Sequence, residues 1–240
     1  MYFFFHLLVG VATGLFLSEI LRSRRWFFPV VIGSVLPDLI DKPLGRVIFA
    51  EAIGSGRIIG HSLLFIFILL VIAVVIWRYR GSIAGFGLPI GALVHQLLDS
   101  MWKLEAIWFY PLYGPFPTGS YAEGYFFIYF WRHLNAQQEW LALILLILVG
   151  IVILAEWYEG KNRFVSFLKQ VKGPVLTVSG TISLGLGILV LMYHGTANDA
   201  WFSPLVGSGD PLVFALALIW CGVVFLYLPL HRLNRARNTQ

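Results

Sequence analysis

Six ionisable side chains stand in runs that are otherwise apolar: His6, Asp38, Asp41, His61, His95 and Asp99. His95 and Asp99 are four apart in Gly-Ala-Leu-Val-His-Gln-Leu-Leu-Asp (Gly91 to Asp99), so a helix carries both on one face. A charge in such a setting is costly without a partner, which makes it a functional-site hypothesis by default. Imidazoles and carboxylates together are the donor set of a buried divalent ion, with zinc or manganese the ions they suit. In that chemistry His95 Nε2 ligates, and Asp99 either ligates beside it or fixes the tautomer of a ligating imidazole. The plainer reading is a hydrogen-bonded pair that glues membrane helices together.

The other candidates divide in the same way. Asp38 lies between Pro37 and Pro43, which fix the local backbone and limit helix continuation, so a rigid turn aims it as a ligand or a catalytic base. Its bland role is a cap or turn residue. Asp41 has a ready alternative partner in the adjacent Lys42 and so ranks below Asp38. His61 opens an apolar run, with Ser62 placed to cap it. Arg57, one turn earlier, either binds a phosphate or carboxylate in bidentate fashion or anchors at the headgroups. His6 shares a small-residue face with Gly10 and Gly14. Glu105, Arg132 and His133 read as interfacial, His194 and His231 as incidental, and Glu19 and Glu156 as remote from the cluster.

The elements that must position these residues are membrane helices. Of the 240 residues 59% are hydrophobic and only 12% charged, with a mean hydropathy of +0.82. A soluble domain carries about 25% charged residues. Seven segments are long or apolar enough to be embedded: 2–21, 26–40, 61–77, 83–102, 140–155, 174–193 and 211–230. The second holds Pro29 and Pro37 and is barely long enough to cross, so it crosses or re-enters. The expected fold is therefore an all-α polytopic bundle of six or seven segments, one short or re-entrant. Residues 1–138 form the polar, chemistry-bearing membrane region, and 139–240 a three-helix C-terminal region. The first region ends in a long loop, from Lys103 to Glu139, dense in aromatics from Trp108 to Trp131 and expected to cover the outer mouth of the cluster.

Charge sets the orientation. With Arg22, Arg24 and Arg25 cytoplasmic, alternation puts 12 of the 17 basic residues on that side, including Arg78, Arg80, Lys161, Arg163, Lys169, Lys172, Arg232, Arg235 and Arg237. The N-terminus then lies outside, the C-terminus in the cytoplasm, and all six candidates reach the outer membrane level. The net charge of +5 follows from these loops, so nucleic acid is not an expected partner. One cysteine, Cys221, excludes an internal disulfide. The N-terminal stretch, with no basic n-region and no small-x-small site after it, is expected to be a retained first helix and not a cleaved signal. No internal repeat, Gly-rich phosphate loop, Gly-x-Ser-x-Gly, His-Glu-x-x-His or cysteine pair is present.

Three strings recur in a known order: Leu-Pro-Asp-Leu-Ile-Asp-Lys-Pro-Leu from Leu36, Gly-Arg-Ile-Ile-Gly-His-Ser-Leu-Leu from Gly56, and His-Gln-Leu-Leu-Asp from His95. With the early His6 and the Trp-Phe-Tyr-Pro-Leu-Tyr-Gly-Pro-Phe stretch from Trp108, they resemble the LexA-binding, inner membrane-associated hydrolases, described as membrane-bound metal-dependent hydrolases. The likeness covers residues 1–118. It implies His6, Asp38, His61, His95 and Asp99 as metal positions, with Arg57 beside them. Many relatives read His-Arg-x-x-Thr-His-Ser, whereas Gly56 and Gly60 precede Arg57 and His61 here, which leaves one potential ligand fewer. A distant similarity of that family to zinc-dependent phospholipase C implies phosphoester chemistry.

Together these readings favour a membrane hydrolase using zinc or manganese. Asp38, Arg57 and Asp99 would be its catalytic groups, and its substrate a phosphoester or lipid-linked molecule taken from membrane lipids at the outer interface. The rival is a transporter or an ion or proton path lined by the same His/Asp cluster. A third reading makes the cluster helix-to-helix glue in a scaffold.

Overall fold

The computed structural model describes residues 3–118, 125–160, 162–196, 205–206 and 209–238. Among the described residues ten α-helices are bounded: α1 (Phe3–Ile20), α2 (Phe27–Gly33), α3 (Leu36–Pro43), α4 (Leu63–Arg80), α5 (Gly87–Leu98), α6 (Glu105–Trp108), α7 (Tyr125–Leu134), α8 (Gln137–Trp157), α9 (Arg163–Tyr193) and α10 (Pro211–Asn238). No strand occurs among the described residues. Among the described residues five helices (α1, α4, α8, α9 and the 211–231 part of α10) are long and apolar enough to cross a membrane, and the shorter apolar stretch Ile83–Leu98 contains α5. The chain is an all-α membrane bundle. It divides into two compact units, Met1–Ala136 and Gln137–Gln240.

In the first unit, glycines set the helix spacing. On α5, Gly87 and Gly91 face α2, where a Cβ on Gly91 would stand 2.2 Å from Val30 O. A Cβ on Gly33 of α2 would stand 2.2 Å from Leu88 O, so the two backbones touch along this seam. α1 meets α2 through Gly10, against Ser34, and Gly14, against Phe27. These pairings make α2 parallel to α5 and antiparallel to α1. α4 returns alongside α5, with Phe65 and Leu69 packed on Ala92. Ser62 caps α4, its hydroxyl accepting the Phe65 N–H at 3.3 Å. The turn at Arg24–Trp26 touches that at Ile83–Phe86, so both lie at the end of the unit away from His6, His61 and His95.

The stretch expected as one segment, 26–40, is two helices broken at Ser34–Val35. α2 has 7 residues and α3 has 8. At about 1.5 Å per residue neither reaches the roughly 30 Å of a hydrocarbon core. Val35 (φ −120°, ψ −12°) leaves helical geometry, and Pro37 restarts the helix inside its first turn, where a missing N–H is harmless. The aromatic loop carries helices of its own, α6 and α7. Trp108 Nε1 donates to Gln96 Oε1 at 2.9 Å, which ties the loop to α5. Tyr121 lies outside the described residues.

In the second unit, α9 has 31 residues and starts at Arg163, eleven residues before the expected boundary at Pro174. Asn162 caps it by accepting the N–H groups of Phe164 and Val165. Lys169 and Lys172 are thus helical, and not in a loop. Lys172 is paired with Glu156 of α8. Pro174 continues the helix, with Thr177 Oγ1 donating to Gly173 O beside it at 3.0 Å.

Candidate metal centre

The break after α2 and the turn Ile59–His61 before α4 bring the polar residues together. Asp41 is the hub. It is fully buried, and its two oxygens accept the N–H groups of Ile58 (2.7 Å), Gly60 (2.8 Å) and His61 (3.1 Å), together with His61 Nδ1 (2.7 Å). Four donors on one carboxylate clamp the 58–61 turn onto α3. Gly60 allows the close approach, because a Cβ there would lie 2.9 Å from Asp41 Oδ1. Lys42, the partner that adjacency offers Asp41, is not among these donors. One turn of α3 sends Lys42 back to Asp38 at i−4, and its ammonium pairs with Asp38 Oδ2.

The imidazoles then follow from their partners. His61 Nδ1 faces the Asp41 carboxylate, which can only accept, so Nδ1 carries the proton. His95 Nδ1 lies 2.8 Å from Ser34 O, a carbonyl, so the same holds there. In the neutral rings both Nε2 atoms therefore present lone pairs, and they lie 3.2 Å apart. Two lone pairs at that distance repel unless a cation or a proton lies between them. Asp38 Oδ1 is buried without a hydrogen bond, 3.5 Å from His61 Nε2 and 3.7 Å from His95 Nε2.

Asp99 completes the ring. As the residue after α5 it keeps the helical bond from its N–H to His95 O (3.0 Å), so the i,i+4 pairing survives at the helix end. Asp99 Oδ1 is 3.3 Å from His6 Nε2, and Oδ2 is 3.5 Å from His61 Nε2. Arg57 binds Asp99 Oδ2 through both Nε (2.9 Å) and Nη2 (2.8 Å), with 38% of its own side chain exposed. The next residue, Ser100, takes the left-handed φ of 52°, strained for a residue with a Cβ, and turns the chain away.

All six sequence candidates meet within this cluster, and Arg57 joins it through Asp99. Two triads have ligand atoms within 4.8 Å of one another: His6, His95 and Asp99, and Asp38, His61 and His95. This donor set fits a divalent cation: inward lone pairs, an unsatisfied carboxylate oxygen, and imidazoles whose outer nitrogens are fixed by acceptors. His95 belongs to both triads but offers a single lone pair, which favours one ion over two.

Two contributors were not singled out beforehand. Gln96, fully buried, donates to Gly60 O (3.1 Å) and Ser62 O (2.9 Å), holding the turn that carries His61. Its amide in an apolar helix beside His95 was a legible signal. Ser34 acts through its carbonyl, which side-chain identity does not announce.

A model of the YdjM inner membrane protein family matches residues 1–162, and the chain belongs to that family. No curated protein and no solved structure matches it. The matched range contains every residue of the cluster.

Proposed function

We propose that this member of the YdjM inner membrane protein family is a metal-dependent hydrolase acting on a phosphoester or lipid-linked substrate at the outer membrane interface. The observation that carries this reading is the pair of inward-facing Nε2 atoms 3.2 Å apart, each imidazole held from behind by an acceptor. His6, Asp38, His61, His95 and Asp99 would hold one zinc or manganese ion. Such an ion supplies Lewis acidity and lowers the pKa of water from about 15.7 towards 7.

The chain's own residues do the rest. Asp41 and Ser34 O orient His61 and His95. Asp38 and Asp99 provide the carboxylates, to ligate and to take the proton of the attacking water. Arg57, partly exposed and already bound to Asp99, steadies an anionic substrate arriving from the water side. Phosphoester chemistry rests on the resemblance of the Leu36, Gly56 and His95 strings. Arg22–Arg25 and the Arg78–Arg80 end of α4 lie away from the cluster, which supports an outside N-terminus, while a cytoplasmic C-terminus rests on the charge alternation along the sequence.

Elemental mass spectrometry on the detergent-purified protein tests the centre. One zinc or manganese per chain is expected, lost in the His61→Ala and His95→Ala variants with helix content retained. A phosphodiester screen follows. No bound metal after supplementation of a folded wild type would overturn the metal reading. Proteoliposome ion flux would then test the rival path.

A further inference from the structure

The second unit holds a feature unrelated to the metal centre. Helices α9 and α10 run antiparallel and touch most closely where both are small. A Cβ on Gly222 would stand 2.6 Å from Leu184 N, one on Gly187 would stand 2.8 Å from Ala215 O, and one on Gly180 would stand 3.0 Å from Gly222 O. Nearer the start of α9 stands Gly173. A Cβ on Gly173 would meet nothing within 4 Å. There a cavity of about 670 Å³ opens, bounded by Pro174 and Leu176 of α9 and by Leu228 and Pro229 of α10.

Two lysines stand at its mouth. Lys172 is 8% exposed and paired with Glu156, while the exposed Lys169 donates to Tyr158 O at 2.8 Å. Both ammonium groups are thus fixed by the end of α8 and do not trail in water. The polar–apolar boundary falls at the same height on both helices. From Pro174 to Met192 α9 has no ionisable residue, and α10 reaches Leu230 without Asp, Glu, Lys, Arg or His before His231 and Arg232. The result is an apolar slot whose open end carries cations at the membrane surface. Basic pockets between membrane helices are suited to anionic head groups.

We infer that this slot binds one anionic glycerophospholipid. Its phosphate would sit at Lys169 and Lys172, and an acyl chain would lie along Leu176, Leu228 and Pro229. The two prolines and Gly173 leave the volume that the chain fills. Lys172 alone is neutralised by Glu156, so selectivity for negative charge rests on the pair of lysines together.

Native mass spectrometry of the whole chain, incubated with equal amounts of phosphatidylglycerol and phosphatidylcholine, tests this. One phosphatidylglycerol per chain is expected, favoured over phosphatidylcholine by about tenfold or more. Lys169→Ala, at an exposed position, should reduce that preference several-fold. The paired Glu156→Gln and Lys172→Gln variant, which keeps Lys169 as the one cation at the mouth, should weaken the preference without leaving a lone buried charge. Gly173→Trp should lose both lipids by filling the slot. Glycerol phosphate in millimolar excess should leave the lipid bound. Displacement by it would show a free-anion site instead. Equal retention of the two lipids, or a preference unchanged in folded Lys169→Ala and Gly173→Trp proteins, would overturn the proposal.

Discussion

Asp41 shows how one side chain decides what its neighbours can do. It holds three main-chain N–H groups and the outer nitrogen of His61, all away from water. Asp41→Asn keeps the shape but turns one acceptor into a donor facing other donors. Each buried group left unpaired costs about 1–3 kcal/mol. A lowered melting temperature is expected, with metal affinity about 10–100-fold weaker, because His61 loses its orienting partner. Titration of the purified apo variant with zinc against a competing chelator measures this; unchanged affinity would mean that Asp41 serves only the turn. At this scale the sequence was informative for a simple reason. His6, Asp38, His61, His95 and Asp99 stand out because nothing around them is polar. Asp41 ranked low because Lys42 offered a local partner, and only the helical turn of α3, which hands Lys42 to Asp38, reveals otherwise.

Between helices, the seam of Gly33, Gly87 and Gly91 governs where His95 points. Gly33→Ala would place a methyl 2.2 Å from Leu88 O, and backbone cannot step aside as a side chain does. Overpacking of this kind costs about 1–3 kcal/mol. The predicted outcome is a melting temperature several degrees lower and a loss of bound metal, as His95 moves away from His61. Gly150 on α8 is the control, since a Cβ there meets nothing within 4 Å. Gly150→Ala should be neutral or stabilise by up to about 1 kcal/mol. If both variants melt alike, the seam is not what sets the spacing. Hydropathy found most of the helices but misplaced two kinds of boundary. The break at Ser34–Val35 was hidden because apolar residues continue across it. The early start of α9 was hidden because its first eleven residues are polar enough to read as a loop, while the Asn162 cap and the Lys172–Glu156 pair make them helix.

For the whole molecule, the question is which way it lies in the membrane. The proposed orientation predicts that a cysteine at Ser82 is labelled from the cytoplasm and one at Glu51 from outside, by a membrane-impermeant maleimide on intact cells and inverted vesicles. Cys221 is fully buried and gives little background. Reversed labelling would put the cluster on the cytoplasmic face and require a different source of substrate. The division into units at residue 136 has a parallel in chemistry: the candidate ligands all precede it, whereas the lysine-rimmed slot follows it.

The two imidazoles at the centre are steadied by different kinds of matter. His61 leans on a carboxylate that a single codon change removes, but His95 leans on the carbonyl of Ser34, which every amino acid at that position supplies. Random mutagenesis would therefore record Asp41 as sensitive. Position 34 would respond to the size of its side chain, pressed as it is against Gly10, and to proline, which removes the N–H that donates to Val30 O at 3.0 Å. Half of the support for the site is written in a part of the chain that genetic variation cannot edit.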